Sequence, residues 1–223
     1  MNPISIEPGS MPAPGECCAL ILAGGAGTRM GGQDKGLLPW RGVPLAAAVA
    51  ARVAAAGIPV LISANRNLEQ YRALGYAVVP DLRSGYAGPL AAIEAGLAAA
   101  PAPWLLTLPC DCPLFPDDLL SRLWSAVRRA AADPLQAPPR AAQVRCGPHR
   151  HPVFALAHRS LATPLTRFLD DGGRRVSDWW QAVGALGVDF GLAAEPRFAN
   201  ANTPEELASM ATAGLDEVQR CSS

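Results

Sequence analysis

LAGGAGTRMGGQDK, residues Leu22 to Lys35, is the stretch whose reading decides the fold. An apolar run from Cys17 leads into it, long enough for one buried strand, and apolar residues resume at Leu37 and Leu38. The stretch holds Gly24, Gly25, Gly27, Gly31 and Gly32, the hydroxyl of Thr28, and two cations, Arg29 and Lys35. Glycine permits positive φ and leaves backbone N–H groups uncovered, and such groups facing one cavity form an anion-binding nest. Arginine adds a planar fork for phosphate oxygens, and lysine a mobile point charge. The stretch reads as a loop built to grip a polyphosphate.

Two familiar glycine loops fail the comparison. A Walker loop needs Ser or Thr directly after its lysine, and Lys35 is followed by Gly36. A dinucleotide fingerprint needs a third glycine where Met30 stands. The totals narrow the class further. At 223 residues, half of them apolar, the chain suits one α/β domain with a real core. Lys plus Arg equals Asp plus Glu at 19 each, so no global field draws it to nucleic acid or an acidic membrane, and any anion site is local. No apolar run approaches the roughly 18 to 20 residues of a membrane span. Residues 1–16 hold four prolines and lack a secretion signal's positive start and apolar centre, so they read as a disordered tail. The six cysteines form no C-x-x-C and read as reduced thiols in the cytoplasm.

Outward from the loop, strands and helices alternate. Pro44 opens a helix to Ala56, Pro59 to Ser63 reads as a strand, Leu68 to Leu74 as a short helix, and Tyr76 to Val79 as a strand. Pro89 starts a helix to about Ala100, Trp104 to Leu108 is a strand apolar enough to be covered on both faces, and Pro116 to Ala132 is a helix. Residues 133–148 resist assignment. A strand is expected at His151 to Leu156, a helix at Ser160 to Leu169, and a strand at Ala185 to Val188. Thr203 is the expected N-cap of a last helix, with Pro204 first inside it and Glu206 as capping-box partner. The pattern predicts a doubly wound, mainly parallel, Rossmann-like sheet with helices on both faces. Such sheets bind ligands beyond the carboxyl ends of their strands. The glycine loop, Ser63, Asn65, Asp81 and Asp111 all fall at such ends.

With those pieces assembled, the chain resembles the molybdenum cofactor guanylyltransferases, MobA-type nucleotidyltransferases that join GMP to molybdopterin. The signature L-A-G-G-x-G-x-R-M-G-x-D-K is matched almost letter for letter. SANRN near residue 65, GPLAAI at Gly88 to Ile93, PCDCP around Asp111 and NANTPEEL at Asn200 to Leu207 extend the likeness from about Ala19 to Met210. The spelling GGxDKGL and the RRV at 174–176 favour this family over the molybdopterin cytidylyltransferases. The resemblance implies a nucleotide-diphospho-sugar-transferase-like domain over 17–214, with a nucleotide-binding part at 17–132, an acceptor-binding part at 133–214 and a tail at 215–223. It implies that Leu22, Ala23, Gly24 and Gly25 meet the nucleoside of GTP, that Arg29 and Lys35 hold its phosphates, and that Asp81 contacts it. Asp111 matches the family's magnesium-binding aspartate. Where several relatives carry asparagine, position 63 has serine, so a guanine contact there is lost, passed to Asn65 or bridged by water.

Nucleotidyl transfer brings an anionic nucleophile to an already charged phosphorus, so positioning and charge neutralisation supply most of the rate. Mg²⁺ takes one or two protein carboxylates and fills the rest of its octahedron with phosphate and water. Asp111 fits that role and Asn202 is a second candidate, although Asp111 also reads as a helix cap and Asn202 as a local backbone partner. A terminal phosphate acceptor, with a second pKa near about 6, needs no catalytic base. His151, Arg174 and Arg175 are the acceptor-side candidates, with a structural histidine and an exposed basic pair as the plain alternatives. Molybdopterin-synthesising enzymes and molybdoenzyme chaperones are the protein partners the resemblance suggests. Alternatives are a CTP or sugar-phosphate nucleotidyltransferase and a non-catalytic nucleotide-binding regulatory domain.

Overall fold

Alternation along the first strand divides the molecule into layers. In the computed structural model, which describes residues 11–25, 34–84, 88–201, 203 and 206–210, β1 (Cys17–Leu22) is buried on both faces. Its Cys17, Ala19 and Ile21 belong to one core cluster, and Cys18 and Leu20 to another, as the two-residue period of a strand requires.

After β1 come a 3-10 turn at Lys35–Leu37 and a two-stranded hairpin, β2 (Pro39–Trp40) and β3 (Val43–Pro44). Then follow α1 (Leu45–Ala54), β4 (Val60–Ser63), α2 (Leu68–Arg72), β5 (Ala77–Val79), α3 (Pro89–Ala99), β6 (Trp104–Pro109) and α4 (Leu119–Ala131). The second half holds β7 (Ala141–Cys146), β8 (His149–His158), α5 (Ala162–Asp170), α6 (Val176–Ala182), β9 (Leu186–Asp189) and a 3-10 turn at Leu192–Phe198. The main sheet runs β5-β4-β1-β6-β8-β7-β9. Every neighbouring pair is parallel except those of β8, which runs against both β6 and β7.

Helices α1 and α4 cover one face through Val49, Val53, Leu123 and Val127. Helices α3, α5 and α6 cover the other through Leu90, Ile93, Leu165, Leu169 and Trp180. Helix α3 rides close to the sheet at Gly96, where a Cβ would stand 2.5 Å from Leu20 Cδ2 and 3.0 Å from Leu105 Cδ2. Alanine there would force an overpacked core, a defect of about 1–3 kcal/mol.

The expected elements are present with shifted ends. Pro44 stands just before α1, extended at φ −58° and ψ 141°, and α4 begins at Leu119 after the proline-rich turns. Thr203 caps the last helix as expected, its Oγ1 accepting the Glu206 N–H at 3.1 Å; Pro204 lies outside the described residues. Residues 11–16, read as tail, include a buried Pro12, and the Glu16 carbonyl accepts the Trp104 N–H at 3.1 Å. The unassigned stretch contains β7, whose alanines carry little strand propensity. Helix α6 has only seven residues, too few for a helical period to show.

Candidate active site

From β1 the chain moves outward through β4 to β5, and then α3 returns it to β6 on the opposite side of β1. The order reverses between β1 and β6, and an open parallel sheet has its crevice at such a point. Main-chain bonds hold the strand ends together: Ala23 N–H donates to Ser63 O at 2.9 Å, Ala64 N–H to Val79 O at 3.2 Å, and Cys110 N–H to Leu22 O at 3.1 Å. Four consecutive ends of the sheet therefore meet along one edge.

On the outer side of that edge, Asn65 and Asp81 are joined at two points. Asn65 Nδ2 donates to Asp81 Oδ2 at 2.8 Å, and the Asp81 N–H donates to Asn65 Oδ1 at 2.8 Å. Gly24 comes so near that a Cβ would lie 3.0 Å from Asn65 Nδ2 and 3.6 Å from Ser63 Oγ. Two polar atoms here are buried without a protein partner, Ser63 Oγ and Asp81 Oδ1. Leaving such groups unpaired costs about 1–3 kcal/mol each, which a ligand with matching donors would offset. Burial raises the Asp81 carboxyl above its ordinary 3.8; the Asn65 bond opposes this shift, and the Glu94 charge adds to it.

On the inner side, the Lys35 ammonium meets the carboxylate of Asp111, Nζ to Oδ2 at 2.5 Å, with side chains 20% and 14% exposed. The preceding residue, Asp34, is buried and anchors this lysine. Its Oδ1 accepts from Tyr71 Oη at 2.6 Å, and its Oδ2 accepts from Asn67 Nδ2 at 3.1 Å and pairs with Arg66 Nε at 3.4 Å. Burial, and then the bond to Asp34, push the Tyr71 phenol well above its ordinary range. Asn67 adopts the left-handed conformation at φ 52°, which asparagine tolerates, to bring its amide round. Asp34, Arg66, Asn67 and Tyr71 were not picked out from the sequence as site residues. The adjacency of Asp34 to Lys35 inside the matched signature was the available signal for the first of them.

Asp111 is not a helix cap: that place before α4 belongs to Asp118, and the Asp111 carbonyl instead accepts the Ala201 N–H at 2.9 Å. No group of three His, Cys, Asp or Glu residues fit to hold a metal occurs among the described residues. One strand-end carboxylate beside a lysine is a donor set that suits magnesium arriving with a nucleotide, since phosphate and water supply its remaining ligands. Arg29 and Asn202 lie outside the described residues. Cys110 and Cys112 are buried free thiols, and burial pushes Cys112 up to about 12.

The acceptor-side candidates do not join this cluster. Arg174 Nη1 donates to the carbonyls of Leu169 at 2.7 Å and Gly173 at 2.6 Å, closing the end of α5, and Arg175 is exposed at the start of α6. His151 lies on β8 with its ring 5.1 Å from that of Phe198 and its Nε2 buried without a partner. Burial lowers its pKa, keeping the imidazole neutral at pH 7. A further charged group links the halves. Arg83 grips both carboxylate oxygens of buried Glu94, at 2.6 and 2.8 Å, and reaches Asp170 at 2.7 Å, while Thr166 Oγ1 donates to Glu94 at 2.7 Å.

Comparison with known proteins gives concordant results. The model of the MobA-like NTP transferase domain matches residues 19–183. A molybdenum cofactor guanylyltransferase of Acidovorax sp. (strain JS42) is 44% identical over 201 residues, covering 88% of this chain and 95% of that protein. One from Pseudomonas aeruginosa (strain PAO1) is 42% identical over 193 residues, covering 86% and 93%. Among solved structures, molybdopterin-guanine dinucleotide biosynthesis protein A from Archaeoglobus fulgidus superposes with a TM-score of 0.64 at 20% identity, covering 89% of this chain and 98% of that one. A CMP:2-keto-3-deoxy-manno-octonic acid synthetase complexed with CTP superposes at 0.68 and 13% identity, covering 91% and 99%. At those identities the likeness concerns the fold.

Proposed function

The chain belongs to the MobA-like NTP transferase family, and from that membership we propose the residue roles of a molybdenum cofactor guanylyltransferase. The protein is a nucleotidyltransferase that moves GMP from GTP to molybdopterin, giving the guanine dinucleotide form of the molybdenum cofactor and pyrophosphate. The observation that carries the assignment of roles is the Lys35–Asp111 pair at the point where the strand order reverses.

In this reading Leu22, Ala23, Gly24 and Gly25 border the nucleoside. The unpartnered Asp81 Oδ1 accepts from the guanine edge, and the Ser63 hydroxyl makes a second, shorter-reaching contact. Both amide atoms of Asn65 bond to Asp81, so Asn65 orients that carboxylate instead of replacing the asparagine that relatives carry at position 63. Lys35, with Arg29 from the loop, holds the phosphates and stabilises charge on departing pyrophosphate. Asp34 and Tyr71 keep Lys35 aimed. Asp111, helped by Asn202, would hold Mg²⁺, which when bound neutralises phosphate charge and favours in-line displacement. The acceptor phosphate is its own nucleophile, so no side chain is assigned as base. Residues 17–132 form the nucleotide part, and 133–214, with His151, Arg174 and Arg175, form the acceptor part. No helix among the described residues is long and apolar enough to cross a membrane. The five cysteines among the described residues are buried free thiols, which suits the cytoplasm, where such thiols stay reduced.

Thermal shift with GTP, CTP, UTP and ATP, followed by pyrophosphate release in the presence of molybdopterin and Mg²⁺, tests this. GTP alone should stabilise strongly, and release should require the acceptor. Equal stabilisation by CTP would overturn the base assignment. Full activity of Asp111→Ala would overturn the metal role.

A further inference from the structure

Beyond the end of β6 at Pro109 the chain does not enter a helix until Leu119, and carbonyls in such a stretch ordinarily face water. Here three successive ones are taken by two guanidinium groups. Arg52, on α1, donates from Nη1 to Pro113 O at 2.6 Å and from Nη2 to Phe115 O at 2.8 Å. Its charged carbon lies 4.0 Å from the centre of the Phe115 ring. Between those two carbonyls, Leu114 O accepts from Arg197 Nε at 3.0 Å. Ala201 N–H donates to Asp111 O at 2.9 Å in the same sense, and Cys112 Sγ donates back to Arg197 O at 3.2 Å. Leu114 packs against the cluster of Trp40, Leu45, Ala201 and Leu207, so burial closes the same seam.

We propose that Arg197, seconded by Arg52, is a positioning residue for nucleotidyl transfer: it fixes the register of residues 111–115 against 197–201 and thereby the place of the Asp111 carboxylate. The inference rests on the reading of Asp111 as the cation-binding carboxylate. Water would satisfy the Leu114 carbonyl equally well, but would not hold two segments at a fixed spacing. A planar guanidinium rooted in the neighbouring segment does both. Arg197 meets the 111–115 segment at the Leu114 main-chain carbonyl, on the Asp111 side of the edge. Its effect should therefore fall on metal affinity and turnover, and leave the base-reading side at Asn65 and Asp81 untouched. Misplacing a reacting group by about 1 Å costs on the order of 100-fold in rate, so a seam that holds spacing has a catalytic consequence without touching substrate.

The test compares wild type, Arg197→Met and Arg197→Lys by three readouts: Mn²⁺ binding with GTP present, followed by electron paramagnetic resonance; GTP binding in EDTA; and kcat. Arg197→Met should weaken Mn²⁺ binding about tenfold, the size of effect seen when a ligand's supporting partner is lost. It should lower kcat in step and leave metal-free GTP binding unchanged, and Arg197→Lys, which keeps one donor, should recover part of the loss. Unchanged Mn²⁺ affinity in Arg197→Met overturns the proposal. So does a parallel loss of metal-free GTP binding, which would mark general loosening. If wild type binds Mn²⁺ with GTP yet releases no pyrophosphate, guanylyl transfer is overturned, while the Mn²⁺ comparison still decides the role of Arg197.

Discussion

Along β1, β4, β5 and β6 the polar side chains at the strand ends find one another: Asn65 meets Asp81, and Lys35 meets Asp111. Along β7, β8 and β9 they are spent on the turns at the strand ends. Asp189 accepts the N–H groups of Gly147 and Gly191 at 3.0 Å each and pairs with Arg145 at 3.1 Å, so its carboxyl falls below the ordinary range while it closes two turns. Arg174 likewise serves the end of α5. The difference follows from how the strands are connected. Parallel strands deliver carboxyl ends to one edge, and each must continue into a crossover long enough to carry functional groups. The β7–β8 hairpin reverses at that edge and uses its polar groups to make the reversal. The lesson is that the half proposed to hold the nucleotide is organised by topology, whereas the half proposed to hold the acceptor relies on segments that fold back toward the same edge.

Substitutions can break or sharpen this contrast. The largest expected effect is at Lys35: Lys35→Ala should cut pyrophosphate release by about 100- to 1,000-fold, the loss typical of one preorganised charge-stabilising donor. A steady-state assay at saturating GTP would read it. Asp81→Asn should weaken GTP binding about tenfold, comparable to one charge-assisted hydrogen bond, as measured by calorimetry. The same variant carries a stability signature. Because burial holds the Asp81 pKa above 3.8, the folded chain binds this proton more tightly than the unfolded chain. The stability this gives is present below the unfolded value and lost as pH rises through the folded one. Asp81→Asn should thus melt at or above wild type at pH 7, with the advantage vanishing in acid. Smallest is Arg174→Ala, which should cost about 0.5–1 kcal/mol through the uncapped helix end and leave GTP binding unchanged. A collapse of GTP binding in Arg174→Ala would erase the distinction between the halves.

The legible part of the site was what lies close in sequence to a strand end. Ser63, Asn65, Asp81 and Asp111 each follow an apolar run by a residue or two, and the structure brings all four to one edge. What escaped reading were the partners. Tyr71 looked like one residue of a short helix, and only the fold turns its hydroxyl toward Asp34, 37 positions away. Arg197 and Arg52 reach the 113–115 carbonyls across 83 and 61–63 positions, and nothing local marks them. β8 was expected as a strand, but the mark of its reversed direction, the two-residue turn at Gly147 and Pro148, lay in the unassigned stretch.

The sequence by itself determined the alternation of strands and helices and the resemblance to the family, because apolar period and short motifs are local properties. Tertiary structure alone decided that Lys35 rests on Asp111, that Asp81 keeps one oxygen unpartnered, and that three carbonyls after Asp111 are held by arginines from distant elements. Those facts depend on which strand lies beside which and in what register, and that is settled only when both faces of the sheet bury their side chains together.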